Sequence, residues 1–459
     1  MFPEEFIKRI HTQSYLDPDG LLKALGSESP VSVRINREKW GKIPRNIGQV
    51  PWCSEGYYLD NRPVYTLDPL FHAGCYYPQE ASGMFLGEVF RQLGPQQSGL
   101  KVLDLCGAPG GKATHLSSLI GSKGMLVANE VIKSRAFILS ENITKWGISN
   151  TIVTRNDPYA FGRLRGFFDM IVIDAPCSGE GMFRDKIAVD EWSVENASLC
   201  SDRQRRILMD AWPALKENGL LVYSTCTFNP DENEMNISWL VSKQKAESLQ
   251  LDTGRFSGIT AIEKDGIIGY GFYPGRIKGE GLFMAVLRKT EKEESHYRKN
   301  QKNKDIIINA SERSVAQEWT HFDPGNLVRS GDNLFAVPCG INDYEFISSQ
   351  LNILNPGTRI CAGKKEKFLP SHELALSVFL KKDIFPVLDL DLPGSLAFLG
   401  RGNLNTVAGV KGWNQVRYRE TGLGFVNNLG TRLNNYYPME WRIRMNTAIR
   451  EINDQIEWL

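Results

Sequence analysis

From residue 100 onward the chain alternates short apolar runs with longer amphipathic ones, and few folds admit that rhythm. LKVLDLC (100–106), MLVANE (125–130), TIVT (151–154), FFDMIVIDAP (167–176) and LLVYSTCTF (220–228) read as strands, with GLFMAVLRK (281–289) a later one. KATHLSSLIG, SRAFILSENITKWG and SDRQRRILMDAWPALKENG (201–219) read as the helices between them. FFDMIVIDAP is nearly all apolar, as a strand buried on both faces should be. Strands alternating with helices over roughly 190 residues predict an α/β fold with a doubly wound sheet.

A chain of 459 residues exceeds one ordinary core, so further units are expected. Residues 1–98 predict an amino-terminal α+β extension. Within it PVSVRINREKW (30–40) alternates Val31, Val33 and Ile35 with polar residues, the pattern of a half-buried strand. YYPQEASGMFLGEVFRQLG (76–94) repeats Ala81, Phe85, Val89 and Leu93 at a spacing of four, which predicts an amphipathic helix. The α/β unit covers 99–290. Residues 291–314, rich in charge and in Asn, Gln and Ser, predict a solvated linker. The short strands, turns and aromatics of 315–459 predict a second α+β unit.

Composition narrows the class. Hydrophobic residues at 42% and charged residues at 23% exclude disorder as the whole answer. MFPEEFIKRIHTQ has acids where a signal peptide needs cations, and no apolar run approaches the ~18 residues of a membrane span. A soluble, cytoplasmic and monomeric protein without a membrane partner is expected. Eight cysteines without a Cys-x-x-Cys pair, and six scattered histidines, predict neither a metal site nor a disulfide framework. The net charge of +1 by itself gives no sign of a polyanionic partner.

Ligands of doubly wound sheets bind beyond the carboxyl ends of the strands, where this sequence concentrates its polar loops. In DLCGAPGGKA (104–113), Gly107, Gly110 and Gly111 let a tight turn pass beneath a ligand at a helix start. The spacing matches neither the dinucleotide fingerprint nor the phosphate-binding loop of ATPases, which disfavours NAD and ATP. Glu130, 26 residues after Asp104, is placed to bind a ribose or to cap a helix. Asp157 is placed to meet an adenine edge or to make an Asn-Asp-Pro turn. DAPCSGEG (174–181) and STCTFNPDENE (224–234) each put a cysteine, Cys177 and Cys226, just past a central strand. A lone cysteine is usually a small buried hydrophobe. Two at adjacent strand ends point to a redox couple or, beside a ligand loop, to paired roles in covalent catalysis.

Together, DLCGAPGGKATHL, NE-x4-R, DAPCSGEGMFR and YSTCTFNPDENE resemble the RNA (cytosine-5)-methyltransferases. PLFHAGCYYPQEASGM (69–84) and the carboxyl-terminal extension look most like the RsmF-type bacterial group, which acts on 16S rRNA. The resemblance implies a Rossmann-like core that uses S-adenosyl-L-methionine. The loop Cys106, Gly107, Ala108, Pro109, Gly110, Gly111, Lys112 and Ala113 would hold the methionine part. Glu130 would bind the ribose, Asp157 the adenine, and Asp174 would lie between cofactor and target base. Arg135 and Asn142 match family positions on the following helix. Cys226 is implied as nucleophile and Cys177 as the helper in product release, with Lys112 holding the base or depressing a thiol pKa. Gly107 and Ala113 stand where the family often shows Ala and Thr, and Gly275–Arg276 where many relatives carry Pro–His.

The tail explains how a neutral chain can bind RNA. Residues 401–450 carry Arg401, Lys411, Arg417, Arg419, Arg432, Arg442, Arg444 and Arg450 against Glu420 and Glu440, a local +6. Trp413, Tyr418, Phe425, Tyr436, Tyr437 and Trp441 are interleaved, so cations for phosphates and rings for unpaired bases are both expected. The resemblance implies a PUA-like RNA-binding region there, with rRNA, free or within the small ribosomal subunit, as partner. Transfer RNA, a DNA substrate with Cys177 attacking, and a non-catalytic assembly factor are the alternatives.

Overall fold

The computed structural model describes residues 2–45, 48–95, 97–293, 308–364, 367–404, 409–445 and 456–459. Most of the linker expected over 291–314, and Arg450, lie outside the described residues. A ten-stranded sheet runs through the centre in the order Ile259–Lys264, Ile267–Phe272, Leu282–Lys289, Leu215–Thr225, Phe168–Asp174, Lys101–Asp104, Met125–Asn129, Thr151–Thr154, Ile353–Asn355, with Ala246–Ser248 paired to Leu282–Lys289. The five strands from Leu215–Thr225 to Thr151–Thr154 are parallel. Their side chains alternate between two cores. Leu103, Val127, Ile152, Ile171, Ile173 and Tyr223 pack on one face. Val102, Leu126, Val153, Met170, Val172 and Val222 pack on the other.

The sheet is nevertheless mixed, because its flank is an antiparallel meander through residues 259–289. Of its strands, Ile259–Lys264 mixes polar and apolar residues, while Ile267–Phe272 (IIGYGF) is a short apolar run. Between them stands the Asp265–Gly266 dipeptide, whose residues both take positive φ (51° and 77°) in a two-residue hairpin turn. The helix expected over 76–94 is shorter than its pattern. Tyr76–Pro78 forms a strand, Ser82–Phe85 a 3-10 turn, and only Leu86–Leu93 an α-helix. Likewise the helix expected over 201–219 is Val194–Ala211, and the next strand already begins at Leu215. Pro213 accounts for this, since it lacks the N–H an extended helix would need.

The amino-terminal extension is two helices, Glu4–Thr12 and Pro18–Leu25, and a sheet ordered Gly56–Leu59, Val31–Ile35, Tyr76–Pro78. Val31–Ile35 is not half-buried as its alternation suggests. Arg34, on its polar face, is fully buried over the Trp146 ring at 4.4 Å and donates to Gln79 Oε1 (2.7 Å) and Thr114 Oγ1 (2.6 Å).

Beyond residue 308 two four-stranded sheets form: Leu327–Ser330, Asn333–Ala336, Thr358–Lys364, Lys367–Pro370, and Val387–Asp389, Gly412–Tyr418, Thr421–Asn428, Leu433–Asn435. Ile353–Asn355, between strands of the first, pairs with Thr151–Thr154 and so extends the central sheet. Of the six tail aromatics, Tyr418, Phe425 and Tyr437 are core residues, the first two turned inward by their strands and Tyr437 packed against Phe398 and His372 just past the last one. Tyr436 is exposed, as are Lys411, Arg419, Arg432 and Arg444. No described helix is long and apolar enough to cross a membrane.

Candidate active site

The chain leaves Lys101–Asp104 toward Met125–Asn129 on one side and later returns to Phe168–Asp174 on the other. A crevice therefore opens at the carboxyl end of Lys101–Asp104, and the loops singled out by sequence meet around it.

The loop after Asp104 is held from three directions. Gly110 turns it at φ +127°, a conformation that favours glycine, and a Cβ there would stand a tight 3.2 Å from Asn142 Cβ. From the helix Lys133–Trp146, Arg135 Nη2 donates to Ala108 O (2.9 Å) and Asn142 Nδ2 to Pro109 O (2.8 Å). From below, Asn129 accepts the Gly107 N–H through its backbone (2.8 Å) and donates Nδ2 to Leu105 O (3.1 Å). Lys112 and Ala113 open the helix Gly111–Ile120. Burial and then Asp104 push the Cys106 thiol upward.

Asp104 is fully buried, and neither carboxylate oxygen makes a well-formed hydrogen bond; the Cys106 N–H is a contact at best. Burial, and then Asp174, raise its pKa to about 7. Glu130 is buried at the next strand end, accepts the Ile132 N–H (3.0 Å) and stands 3.6 Å from Arg135 Nη2. It bonds the residue just ahead of the helix Lys133–Trp146, whose free N–H groups have no side-chain cap, and it remains a crevice acid. Asp157 lies apart, exposed past Thr151–Thr154, where it accepts the Tyr159 N–H (3.1 Å) and faces Arg206 at 3.8 Å. The turn role anticipated for it is present.

The opposite wall holds the reactive groups. Lys112 Nζ is 2.8 Å from Asp174 Oδ2, and Ser224 Oγ donates to Asp174 Oδ1 at 2.7 Å. Burial alone would lower the Lys112 pKa, but Asp174, Cys226 and Asp104 outweigh it and the net shift is upward. The sulfurs of Cys177 and Cys226 are 3.1 Å apart and unbonded, and the Cys226 N–H points to Cys177 Sγ at 3.3 Å. Contact with Cys226, then burial, hold the Cys177 thiol well above its ordinary pKa. Sequence reading missed Ser224 and Glu232, although both sit inside the quoted motifs. Glu232 accepts from Ser178 N (2.8 Å) and Ser178 Oγ (2.5 Å), beside Cys177. Gln79 was missed as well; it reaches over Gly111 from the extension.

Three family descriptions match the chain in order: the N-terminal domain of 16S rRNA methyltransferase RsmF over 2–81, 16S rRNA methyltransferase RsmB/F over 91–288, and the methyltransferase RsmF PUA domain over 385–443. The chain belongs to the RsmF methyltransferase family. The RsmF-family chain is similar to the ribosomal RNA small subunit methyltransferase F of Enterobacter sp., 29% identical over 96% of this chain and 95% of that one. The corresponding protein of Pectobacterium carotovorum is 37% identical over 63% of each chain. Among solved structures, a methyltransferase homolog protein from Pyrococcus horikoshii has a TM-score of 0.53 at 29% identity, covering 63% of this chain and 95% of that one. NSun6 from the same organism shares the fold, with a TM-score of 0.52 at 21% identity over 63% and 99%.

RsmF-family enzymes are methyltransferases that use S-adenosylmethionine, and the crevice suits that molecule. Its ammonium and sulfonium are cations, and the crevice offers the carboxylates of Asp104, Glu130 and Asp174. The loop's one lysine is already paired to Asp174. A pyrophosphate would meet these acids with no free loop cation to offset them.

Proposed function

We propose that this enzyme transfers a methyl group to carbon 5 of cytidine in small-subunit ribosomal RNA, with Cys226 as nucleophile and Cys177 as the helper in release. The observation that carries the reading is the pair of unbonded thiols, 3.1 Å apart, next to the Lys112–Asp174 ion pair. The substrate named for the relatives supports the choice of RNA.

Carbon 5 of cytosine is a poor nucleophile until a thiolate adds to carbon 6 and makes it enamine-like. Cys226 supplies that thiolate, its S–H proton passing to solvent, with the Lys112 ammonium on the same wall and Cys177 Sγ at 3.1 Å. Residues 106–113 with Asp104, Glu130 and Arg135 would hold S-adenosylmethionine, with Asp157 at the outer, adenine end of the crevice, and the bound cofactor would supply an electrophilic methyl group. Asp174, fixed by Lys112 and Ser224, accepts from the exocyclic amine of cytosine, a donor uracil lacks.

Once carbon 5 is methylated its proton must leave, the carbon 6–sulfur bond must break, and the 5,6 double bond re-forms. With Cys226 bonded to carbon its charge is gone. Cys177, whose Sγ lies 3.1 Å from Cys226 Sγ, gives its S–H proton to solvent and as thiolate takes the carbon 5 proton, while the electron pair of the breaking carbon 6–sulfur bond returns to Cys226. The target base leaves its stack to reach the thiols. The extension (1–98) and the region 315–459, which follows the catalytic unit after the linker 291–314, hold the RNA around it.

Bisulfite sequencing of ribosomal and transfer RNA from a strain lacking the gene tests the reading. Loss of a 5-methylcytidine from small-subunit rRNA is expected. Loss confined to tRNA would move the substrate, and unchanged RNA would refute the activity.

A further inference from the structure

The loops that carry the two cysteines are stitched together by a buried carboxylate. Glu180, three residues past Cys177, has no solvent exposure. Its Oε2 accepts the Phe228 N–H (3.2 Å), two residues past Cys226, and its Oε1 accepts Trp192 Nε1 (3.0 Å). In return the Cys226 carbonyl accepts the Gly181 N–H at 2.9 Å. A buried carboxylate is costly without a counter-charge. Here the counter-charge comes from the first helix of the chain, 171 positions away: Arg9 Nη2 is 2.5 Å from Glu180 Oε1. Arg9 lies over the rings of Phe6 and Trp192, at 5.8 and 5.9 Å.

One turn further, Gln13 Nε2 donates to Phe228 O at 3.1 Å, and Tyr15 OH donates to Glu234 Oε1 at 2.8 Å. Phe228 is therefore gripped through both of its peptide groups, the N–H by Glu180 and the carbonyl by Gln13. Gln13 is buried, so it is not a surface group awaiting RNA. The loop after Cys226 is thus held from both sides, by Glu180 and Asn233 within the α/β unit and by Gln13 from outside it.

We propose that Arg9 and Gln13 are positioning residues for the nucleophile: the first helix closes the loop that aims Cys226, and so forms part of the active site. The proposal rests on the assignment of Cys226 as nucleophile. Acting through Glu180 and Phe228, the two residues set the rate of thiol addition and leave cofactor and RNA affinity alone.

The test uses the full chain, transcribed small-subunit rRNA containing cytidine or 5-fluorocytidine, and the variants Arg9→Met, Arg9→Lys and Gln13→Leu. Calorimetric titration with S-adenosylmethionine counts folded sites. Arg9→Met and Gln13→Leu are expected to lower kcat per cofactor site about tenfold or more, with both KM values within twofold. Trapping of the 5-fluorocytidine adduct should slow in parallel, and Arg9→Lys should stay within about threefold of wild type, because it keeps the counter-charge. An unchanged kcat, a loss confined to KM for RNA, or a loss fully matched by missing cofactor sites would overturn the proposal alone. A wild-type enzyme that methylates RNA without an adduct at Cys226 would overturn the nucleophile assignment and this proposal together.

Discussion

Lys112 Nζ sits 2.8 Å from Asp174 Oδ2, while Ser224 Oγ occupies the other oxygen at 2.7 Å. The carboxylate is thus fixed in orientation, and the ammonium, its pKa shifted upward, stays charged through neutral pH. Removing a preorganised charge from such a site costs about 10²-fold in kcat. Lys112→Met is expected to show a loss of that order at saturating cofactor and RNA. A loss below threefold would remove Lys112 from the chemistry.

The two thiols should fail differently. Cys226→Ala is expected to abolish turnover and covalent trapping. Cys177→Ala should still form the adduct and accumulate it on denaturing gels, because release is the impaired step. If Cys177→Ala instead traps nothing and Cys226→Ala accumulates adduct, the roles are exchanged.

Asp104 predicts two pH effects of opposite sign, a fold that weakens and a cofactor affinity that strengthens as pH rises. Its folded pKa, about 7, is raised above the ordinary carboxylate value of 3.8. The protonated acid therefore suits the fold: its contribution is fully present below 3.8 and is lost as pH rises through 7. The loss is at most about 4 kcal/mol, at 1.36 kcal/mol per unit. Asp104→Asn should gain on wild type in thermal stability between pH 5 and pH 8. A cationic cofactor favours the ionised form, so below pH 7 wild-type affinity should weaken by up to about tenfold per unit, and Asp104→Asn should flatten the profile. Calorimetry from pH 5.5 to 8.5 reads both, and parallel profiles for the two proteins would sink the prediction.

Gly110→Ala should destabilise by about 1–3 kcal/mol, since φ +127° strains alanine and Asn142 Cβ stands 3.2 Å from the new methyl. The Asn142–Pro109 hydrogen bond should break with it, weakening cofactor binding. Thermal melts with and without S-adenosylmethionine measure both effects.

In the tail, Arg432→Ser and Arg444→Ser remove exposed charges from a region in which three of the six rings are buried. Each should weaken RNA binding uniformly and lower the salt slope by about 0.7. An unchanged slope in a salt titration would place the RNA elsewhere.

Much of the site was legible because its residues stand next to strand ends, where chain order and spatial order coincide. Asp104, Glu130, Asp174, Cys177 and Cys226 could each be placed at the rim by counting from an apolar run. Arg34, Gln79 and Arg9 were not legible. Their partners lie 45 to 171 residues away, and in isolation each is an ordinary polar side chain. The helix pattern over 76–94 misled because Ala81, Phe85 and Val89 are buried at helical spacing although the α-helix begins only at Leu86. The tail aromatics misled for a related reason: composition counts rings without telling which face of a strand they occupy.

The strand Ile353–Asn355 bears on how the chain is made. Thr151–Thr154 leaves the ribosome roughly 200 residues before the segment that covers its outer edge. At translation rates of 5–20 residues per second that interval is about 10–40 s. Throughout it the nascent enzyme carries a bare row of peptide groups, open to pairing with a neighbour on the same polysome. A chain cut short before residue 353 would keep that edge permanently.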